Sequence, residues 1–409
     1  MKPIRIALLH YTCPPIIGGV EEILHEQALL FQRYYHPVKV FAGKGGRFIG
    51  THAVEINPLL GSRHPRVLKV QENLSKCQRE FKALVDTLFN YLDETLREFD
   101  ILIAHNVLTM HYNLPLTYAL HRLAETKKIK VVSWNHDSPF FYEKHPAYLD
   151  EAPWKVLHKY NPQIHYIAIS ESRKKQFLKL YSSPSRIKVI PNGIDPIRFF
   201  QLDPATVRVI QENNLFEAEF LMVQPSRLLT RKNIELSIQV LRALHDRGFQ
   251  AWLLVTGSYD PHEVKAWRYY GKLKKLAEKL KIDQHVLIMA EYYYKSGEKQ
   301  TLDVITMRDL YLIADILFLP SLQEGFGIPL LEAGMSKLPI FCSDIPPFRE
   351  IGQNDVYFFS LRDAPVKIAD QILEFATKSG THKMYRKVIH NFVWDNIYRR
   401  QLLPYLSKI

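Results

Sequence analysis

The sequence predicts two doubly wound α/β domains, each built on a parallel sheet, and three observations predict them. Short runs rich in Val and Ile alternate with longer amphipathic segments along almost all of the chain. Runs that are apolar on both faces belong to buried parallel strands, and the amphipathic segments between them supply the helical crossovers such strands require. A cluster of turn residues then splits the dozen runs into two groups, and at roughly 150 residues per domain a chain of 409 residues has room for two substantial cores.

Taken in order, the first group comprises Ile4–His10, Val38–Ala42, Ile101–His105, Lys130–Trp134, Tyr166–Ile169 and Lys188–Ile190. Behind the first run, Val20, Ile23, Leu24 and Ala28 recur at helical spacing. The long segment Val70–Phe99 reads as helical and partly exposed. The division falls at Ile190-Pro191-Asn192-Gly193-Ile194-Asp195, a strand end running into turn residues. The second group is Phe220–Val223, Ala251–Thr256, Val286–Met289, Ile316–Leu319, Ile340–Cys342 and Tyr357–Phe359. The closing stretch, Lys383–Ile409, reads as helical.

Composition narrows the class. The chain is 47% hydrophobic, 23% charged and 12% aromatic, ordinary for a globular protein and unlike a disordered or fibrous one. Cys13, Cys77 and Cys342 form no CxxC, so neither a disulfide framework nor a zinc knuckle is indicated, and free thiols suit a reducing cytosol. The apolar stretch Ile6–Leu9 is too short for a signal-peptide core, and no run approaches a membrane span. A cytoplasmic protein is expected. Against 42 acidic residues stand 54 Lys and Arg, a net charge of +12 that invites an anionic partner: nucleic acid, an acidic membrane surface or a phosphorylated small molecule. The excess leans towards the N-terminal half, +8 against +4.

The sharpest feature is Pro320-Ser321-Leu322-Gln323-Glu324-Gly325-Phe326-Gly327-Ile328-Pro329-Leu330-Leu331-Glu332-Ala333. A buried strand ends in a loop with two glycines, and a helix starts with Pro329 in its first turn. Ligands of open α/β sheets bind beyond the carboxyl ends of the strands. Gly325 and Gly327 let backbone approach a ligand, and the helix start presents N–H groups to an anion. Glu324 and Glu332 reach the same crevice from different heights, and carboxylates accept hydrogen bonds in pairs, which suits neighbouring sugar hydroxyls. A second cluster, Ser226-Arg227-Leu228-Leu229-Thr230-Arg231-Lys232-Asn233, collects cations at another strand end and helix start. The positive end of the helix dipole repels them, and a bound di-anion resolves that conflict. Arg227 offers a fork for phosphate oxygens and Lys232 a point charge, and taken alone the segment reads equally as a solvated basic turn.

A third loop, Tyr11 to Glu21, carries Gly18-Gly19 before its helix but no G-x-G-x-x-G, which weakens a nicotinamide or flavin reading. Gly43-Lys44-Gly45-Gly46 does not fit a phosphate loop and reads as a mobile surface loop. Ser133-Trp134-Asn135-His136-Asp137 places His136 at a strand exit, where it could bond a substrate hydroxyl, shuttle a proton, or be a satisfied polar group. His25-Glu26 is not HExxH and DxD is absent, giving a dedicated metal site little support.

In this order, Gly18-Gly19-Val20-Glu21, Val189 to Asp195, Ser226-Arg227 with Lys232-Asn233, and Glu324-Gly325-Phe326-Gly327 through Glu332-Ala333 resemble the family 4 glycosyltransferases, retaining enzymes of the GT-B architecture. The resemblance spans nearly the whole chain. It implies an N-terminal acceptor-binding domain, 1–195, a C-terminal donor-binding domain, 196–384, and a last helix, about 385–409, that packs back on the first. It also implies that the two domains face each other across a crevice. Arg227 and Lys232 would bind a donor diphosphate, with backbone at Gly18 and Gly19 closing on it. Glu332 would hold ribose hydroxyls, while Glu324, with N–H groups of the Gly325-Phe326-Gly327-Ile328 turn, would grip the donor sugar. Gly257 would lie near the nucleobase and His136 beside the transferred sugar. Glu324, His136, Arg227 and Lys232 are thus the implied catalytic set.

Glu21, Asn106, His111 and His136 are the candidate acceptor contacts, the polar strand exit His105-Asn106-Val107-Leu108-Thr109-Met110-His111 being unusual. The segment Ser258 to Lys265 is longer and more charged than the family's Gly-x-Gly. No cofactor or divalent metal is implied, only a nucleotide sugar as co-substrate, GDP-mannose or UDP-glucose. A hydroxyl acceptor completes the reaction, with no nucleic acid. Peripheral association with the inner face of a membrane and the oligomeric state stay open. The rivals are an epimerase or phosphorylase of the same architecture and a basic nucleic-acid or membrane-surface binding protein. Against the last, Arg173-Lys174-Lys175 and Lys272–Lys281 read as solvated helix faces.

Overall fold

A computed structural model describes residues 3–48, 53–182, 186–257, 266–300 and 303–409. Contacts divide the chain into Met1–Asp195 with Phe392–Ile409, and Pro196–Asn391.

The first unit holds a seven-stranded sheet of β1 (Ile6–Thr12), β2 (Val38–Lys44), β3 (Ala53–Ile56), β4 (Ile101–His105), β5 (Lys130–Asn135), β6 (Ile164–Ala168) and β7 (Ile187–Val189). Their order is β3-β2-β1-β4-β5-β6-β7, with every neighbouring pair parallel. Alternation along β1 explains why a fully apolar run was needed. Ile6 and Leu8 face a core completed by Leu24, Ala28 and Phe31 of the helix Gly19–Arg33. Ala7 and Leu9 face the opposite core, completed by Leu84 and Leu88 of the helix Gln78–Thr95 and by Leu116 and Leu120 of the helix Leu114–Thr126. Strand order reverses beside β1, so the exits of β1 and β4 splay apart and leave the crevice where doubly wound sheets bind ligands.

The second unit repeats the plan with β8 (Phe220–Gln224), β9 (Ala251–Val255), β10 (Val286–Ile288), β11 (Ile316–Leu319), β12 (Ile340–Ser343) and β13 (Tyr357–Phe359), in the order β10-β9-β8-β11-β12-β13. Here the reversal lies beside β8, which puts the exits of β8 and β11 at the switch point.

Several expectations need correction. The first sheet has a strand the sequence reading passed over, Ala53–Ile56. It lies at the sheet edge and is only half-buried, so it lacks an apolar run on both faces. Val70–Phe99 is two helices, Pro65–Glu72 and Gln78–Thr95, with Asn73 to Cys77 between them. Gly43 and Lys44 belong to β2, and Gly46 N–H donates to the Pro14 carbonyl at 3.0 Å, so this segment is tied to the β1 exit rather than loose. The C-terminal stretch is also broken. The helix Gly380–Asn391 stays with the second unit, and the return to the first begins at Phe392, not about 385. The break is a parallel bridge: Ile194 N–H donates to the Phe392 carbonyl at 2.8 Å, and Trp394 N–H to the Ile194 carbonyl at 3.2 Å. Arg33 clamps the same place, its guanidinium bonding both Asp195 and Asp395. Trp394, Ile397, Tyr398, Leu402 and Leu406 then fill the core beneath the first helix.

Gly380–Asn391 is fixed by one buried ion pair. Asp315, fully buried just before β11, accepts from Arg386 Nε at 2.9 Å and from Leu221 N–H at 2.7 Å, and a second guanidinium nitrogen of Arg386 reaches its other oxygen. Asp315→Ala leaves the guanidinium buried without its counter-charge, so it is expected to destabilise the second unit by about 3–5 kcal/mol, read as a lower urea midpoint.

Candidate functional site

In the second unit, two groups form at the strand exits. The first is a cleft of about 670 Å³. Arg227 and Gly257 line one side, where β8 and β9 end, and Glu332 lines the other, from the helix Ile328–Met335. Val304, Met307 and Met335 supply apolar wall. Tyr311, buried, donates its hydroxyl to Glu332 at 2.6 Å and so fixes an otherwise exposed carboxylate. Burial, with the carboxylate beside it, holds the Tyr311 phenol well above its ordinary pKa, so it stays a donor. Ser226 also lines the cleft, its buried hydroxyl lacking a partner. Gly257 is required by packing: a Cβ there would fall 1.5 Å from the Ser226 carbonyl oxygen.

The second group gathers on the neighbouring loops. Leu322 N–H donates to the Arg231 carbonyl at 2.8 Å, joining the β11 exit to the β8 exit. Lys232 Nζ donates to Glu324 Oε1 at 2.5 Å, with both side chains nearly buried (12% and 11% exposed). Ser321 Oγ adds a bond to the same oxygen at 2.8 Å, and Arg231 reaches the other at 3.3 Å. The Lys232 carbonyl is held in turn by Gln224 Nε2 at 2.9 Å, whose oxygen accepts from Ser237 at 2.6 Å. Gly327 caps the following helix at φ 117°, a conformation that favours glycine. Phe326 and Ile328 on either side of it are exposed.

In the first unit, a polar chain runs across the strand exits. Thr12 Oγ1 donates to Glu21, in the first turn of its helix, where a carboxylate suits the dipole. Gly18 leaves room for that carboxylate, since a Cβ would fall 2.2 Å from its oxygen, whereas Gly19 is open. His10 Nε2 lies 3.9 Å from Glu21, and its Nδ1 donates to the His105 carbonyl at 2.7 Å.

Trp134 Nε1 donates to Asn192 Oδ1 at 3.3 Å, which turns the amide nitrogen of Asn192 to His136 Nδ1, also at 3.3 Å. His136 therefore carries its proton on Nε2 and donates it to His105 Nδ1 at 3.3 Å. Both nitrogens of His136 are thus engaged internally. Burial, and next the charge on His10, lowers its pKa to about 3, so it stands neutral near pH 7. Asn106 is likewise internal: its Oδ1 accepts from the N–H groups of His136 and Asp137 and from Thr109. His111 lines a separate groove with Leu74 and Trp154, one that includes neither His136 nor Glu21.

Comparison with known proteins follows this division. A model described as "Glycosyltransferase Family 4" matches residues 17–198, and one described as "Glycosyl transferases group 1" matches 208–391. The chain belongs to glycosyltransferase family 4. It is similar to the mannosylglucosylglycerate synthase of Thermotoga maritima, 24% identical over 95% of each chain. The Petrotoga mobilis enzyme of the same name is 23% identical over 67% of this chain and 66% of its own. Among solved structures, Anabaena HepE in complex with UDP and glucose is 17% identical, with a TM-score of 0.38 over 99% of this chain and 100% of that one.

Within this family 4 glycosyltransferase, the expected donor residues divide between the cleft (Arg227, Gly257, Glu332) and the joined loops (Lys232, Glu324 to Ile328). The segment Ser258 to Lys265 lies outside the described residues. Among the described residues, no helix is long and apolar enough to cross a membrane, and no three His, Cys, Asp or Glu are arranged to hold a metal. The residues sequence reasoning missed are supports: Tyr311, Ser321, Gln224, His10 and His105. A buried Tyr before a strand, or a His inside one, carries no signal until its distant partner is known.

Two outcomes are expected. Gly257→Ala should lower stability by about 1–3 kcal/mol, read as a drop in urea midpoint, because the β8 exit must move. For His136, the native pKa of about 3 lies below its ordinary 6.5, so the unfolded chain binds a proton that the native chain refuses. That stability is whole above pH 6.5 and is lost as pH falls towards 3. The urea midpoint should fall from pH 7 to pH 5, and His136→Asn should shrink that fall.

Proposed function

We propose that this glycosyltransferase moves a hexose, mannose or glucose, from a nucleoside diphosphate sugar to a hydroxyl acceptor with retention of configuration and without a resident metal. The observation that carries the reading is the cleft that joins Arg227 to Glu332 across an apolar wall, beside the Lys232–Glu324 pair. A nucleoside has a flat ring for the apolar wall, a ribose diol for Glu332, and phosphates for a guanidinium.

Lys232 and the start of the Ile328 helix take the share of negative charge that develops on the departing diphosphate. An incoming phosphate competes with Glu324 for Lys232, and a carboxylate released from that pair accepts hydrogen bonds from the sugar's hydroxyls. In the step itself, the bond from the anomeric carbon to the phosphate oxygen breaks and the bond to the acceptor oxygen forms on the same face. The acceptor's proton passes to the leaving phosphate, so His136 need not move one. In the first unit, Glu21 offers acceptor contacts and the backbone at Gly18 and Gly19 contacts for the donor phosphates, while His136 and Asn106 shape the wall. The mannosyl relatives favour GDP-mannose as first donor to try, with UDP-glucose as the second.

A thermal-shift panel of nucleotide sugars followed by NMR of the product's anomeric configuration tests this. Arg227→Ala and Glu324→Ala should each lower kcat/KM by about 10²–10³-fold while circular dichroism stays that of the folded chain. Full activity in either variant removes the assigned site, and an inverted product removes the same-face step.

A further inference from the structure

The groove that His111 lines, about 500 Å³, belongs wholly to the first unit. It lies between the segments Leu68 to Ser75 and Tyr148 to Trp154, with Leu74, Pro153 and the edge of buried Trp154 as its apolar floor. Gln71 builds it: its Oε1 accepts from Leu114 N–H at 2.6 Å, fastening the Pro65–Glu72 helix beside the loop that follows β4.

The chemistry of the groove is selective. No lysine or arginine lines it, in a chain with a net charge of +12. Glu72 and Glu151 both line it, both are exposed, and among the described residues neither forms an ion pair. Tyr148 presents a half-exposed ring, tilted on Trp154 with centroids 5.2 Å apart. His111 Nδ1 is buried without a partner, and burial lowers the ring's pKa, leaving a neutral donor-acceptor group at neutral pH. Two unpaired carboxylates accept hydrogen bonds from vicinal hydroxyls and repel phosphate or carboxylate, and an exposed aromatic ring covers the apolar C–H face of a pyranose.

We propose that this groove binds an uncharged sugar unit of the acceptor, so that the acceptor's docking end is a neutral glycoside despite the positive charge of the N-terminal half. The assignment rests on the glycosyltransferase reading for its purpose, and direct binding tests it apart from transfer. Saturation-transfer NMR on the full chain uses methyl α-D-glucopyranoside, methyl α-D-mannopyranoside and glucose 6-phosphate as probes. The neutral glycosides should receive saturation and glucose 6-phosphate should not. Glu72→Gln with Glu151→Gln should weaken glycoside binding at least tenfold. Glu72→Lys with Glu151→Lys should reverse the preference towards glucose 6-phosphate, both pairs lying on the surface where folding is spared. Unchanged glycoside binding in both double variants, or a wild-type preference for the phosphate, overturns the proposal. If no nucleotide sugar supports transfer while the carboxylate-dependent binding persists, the enzymatic reading falls and what stands is a groove for a neutral sugar, without its acceptor purpose.

Discussion

Parallel pairing governs this molecule. When every neighbouring strand of a sheet runs the same way, the chain must return through a crossover after each strand, and the carboxyl ends collect along one edge. Side chains far apart in sequence become neighbours there: Arg227, Gly257 and Glu332 in one unit, His10, His105 and His136 in the other. The reversal of strand order beside β1 and β8 opens that edge, and the chain's polar loops fill it. The buried residues of both sheets serve this geometry, and the polar side chains named above gather at the exits.

At those exits, charge is handled in two ways. The second unit pairs its charges, Lys232 with Glu324 at the strand exits and, at the entry of β11, Asp315 with Arg386. A pair near the surface can exchange one partner for a ligand, whereas a fully buried pair is structural because opening it strands a charge. The first unit instead buries neutral imidazoles and fixes their tautomers through Trp134 and Asn192. Such imidazoles offer shape and fixed dipoles beside the Glu21 carboxylate, which suits a polyhydroxylated substrate.

The sequence carried the plan of both sheets because strands buried on two faces are apolar at every position, as Leu8 and Leu9 are on opposite faces of β1. Ala53–Ile56 escaped because an edge strand answers to only one set of constraints. The glycine turn at Gly325 to Gly327 and the cations at Arg227 and Lys232 stood out in the sequence because glycines follow a buried strand there and basic residues gather at a helix start. The partition of those residues into a cleft and a joined loop was not, because it depends on contacts such as Leu322 with Arg231, which no spacing encodes. Nor was the internal role of His136 and Asn106. A polar residue at a strand exit reads the same whether it faces a ligand or a neighbour 30 residues away, as Asn106 faces His136.

The bridge between Ile194 and Val393, with Arg33 holding both Asp195 and Asp395, makes the second unit an insertion within the first. The first unit's core beneath the helix Gly19–Arg33 needs Trp394, Ile397 and Leu402. During synthesis, then, the half of the protein made first is the half finished last. The inserted unit can close as soon as Asn391 has emerged, while the sheet face beneath the helix Gly19–Arg33 is completed only when Phe392–Ile409 follow.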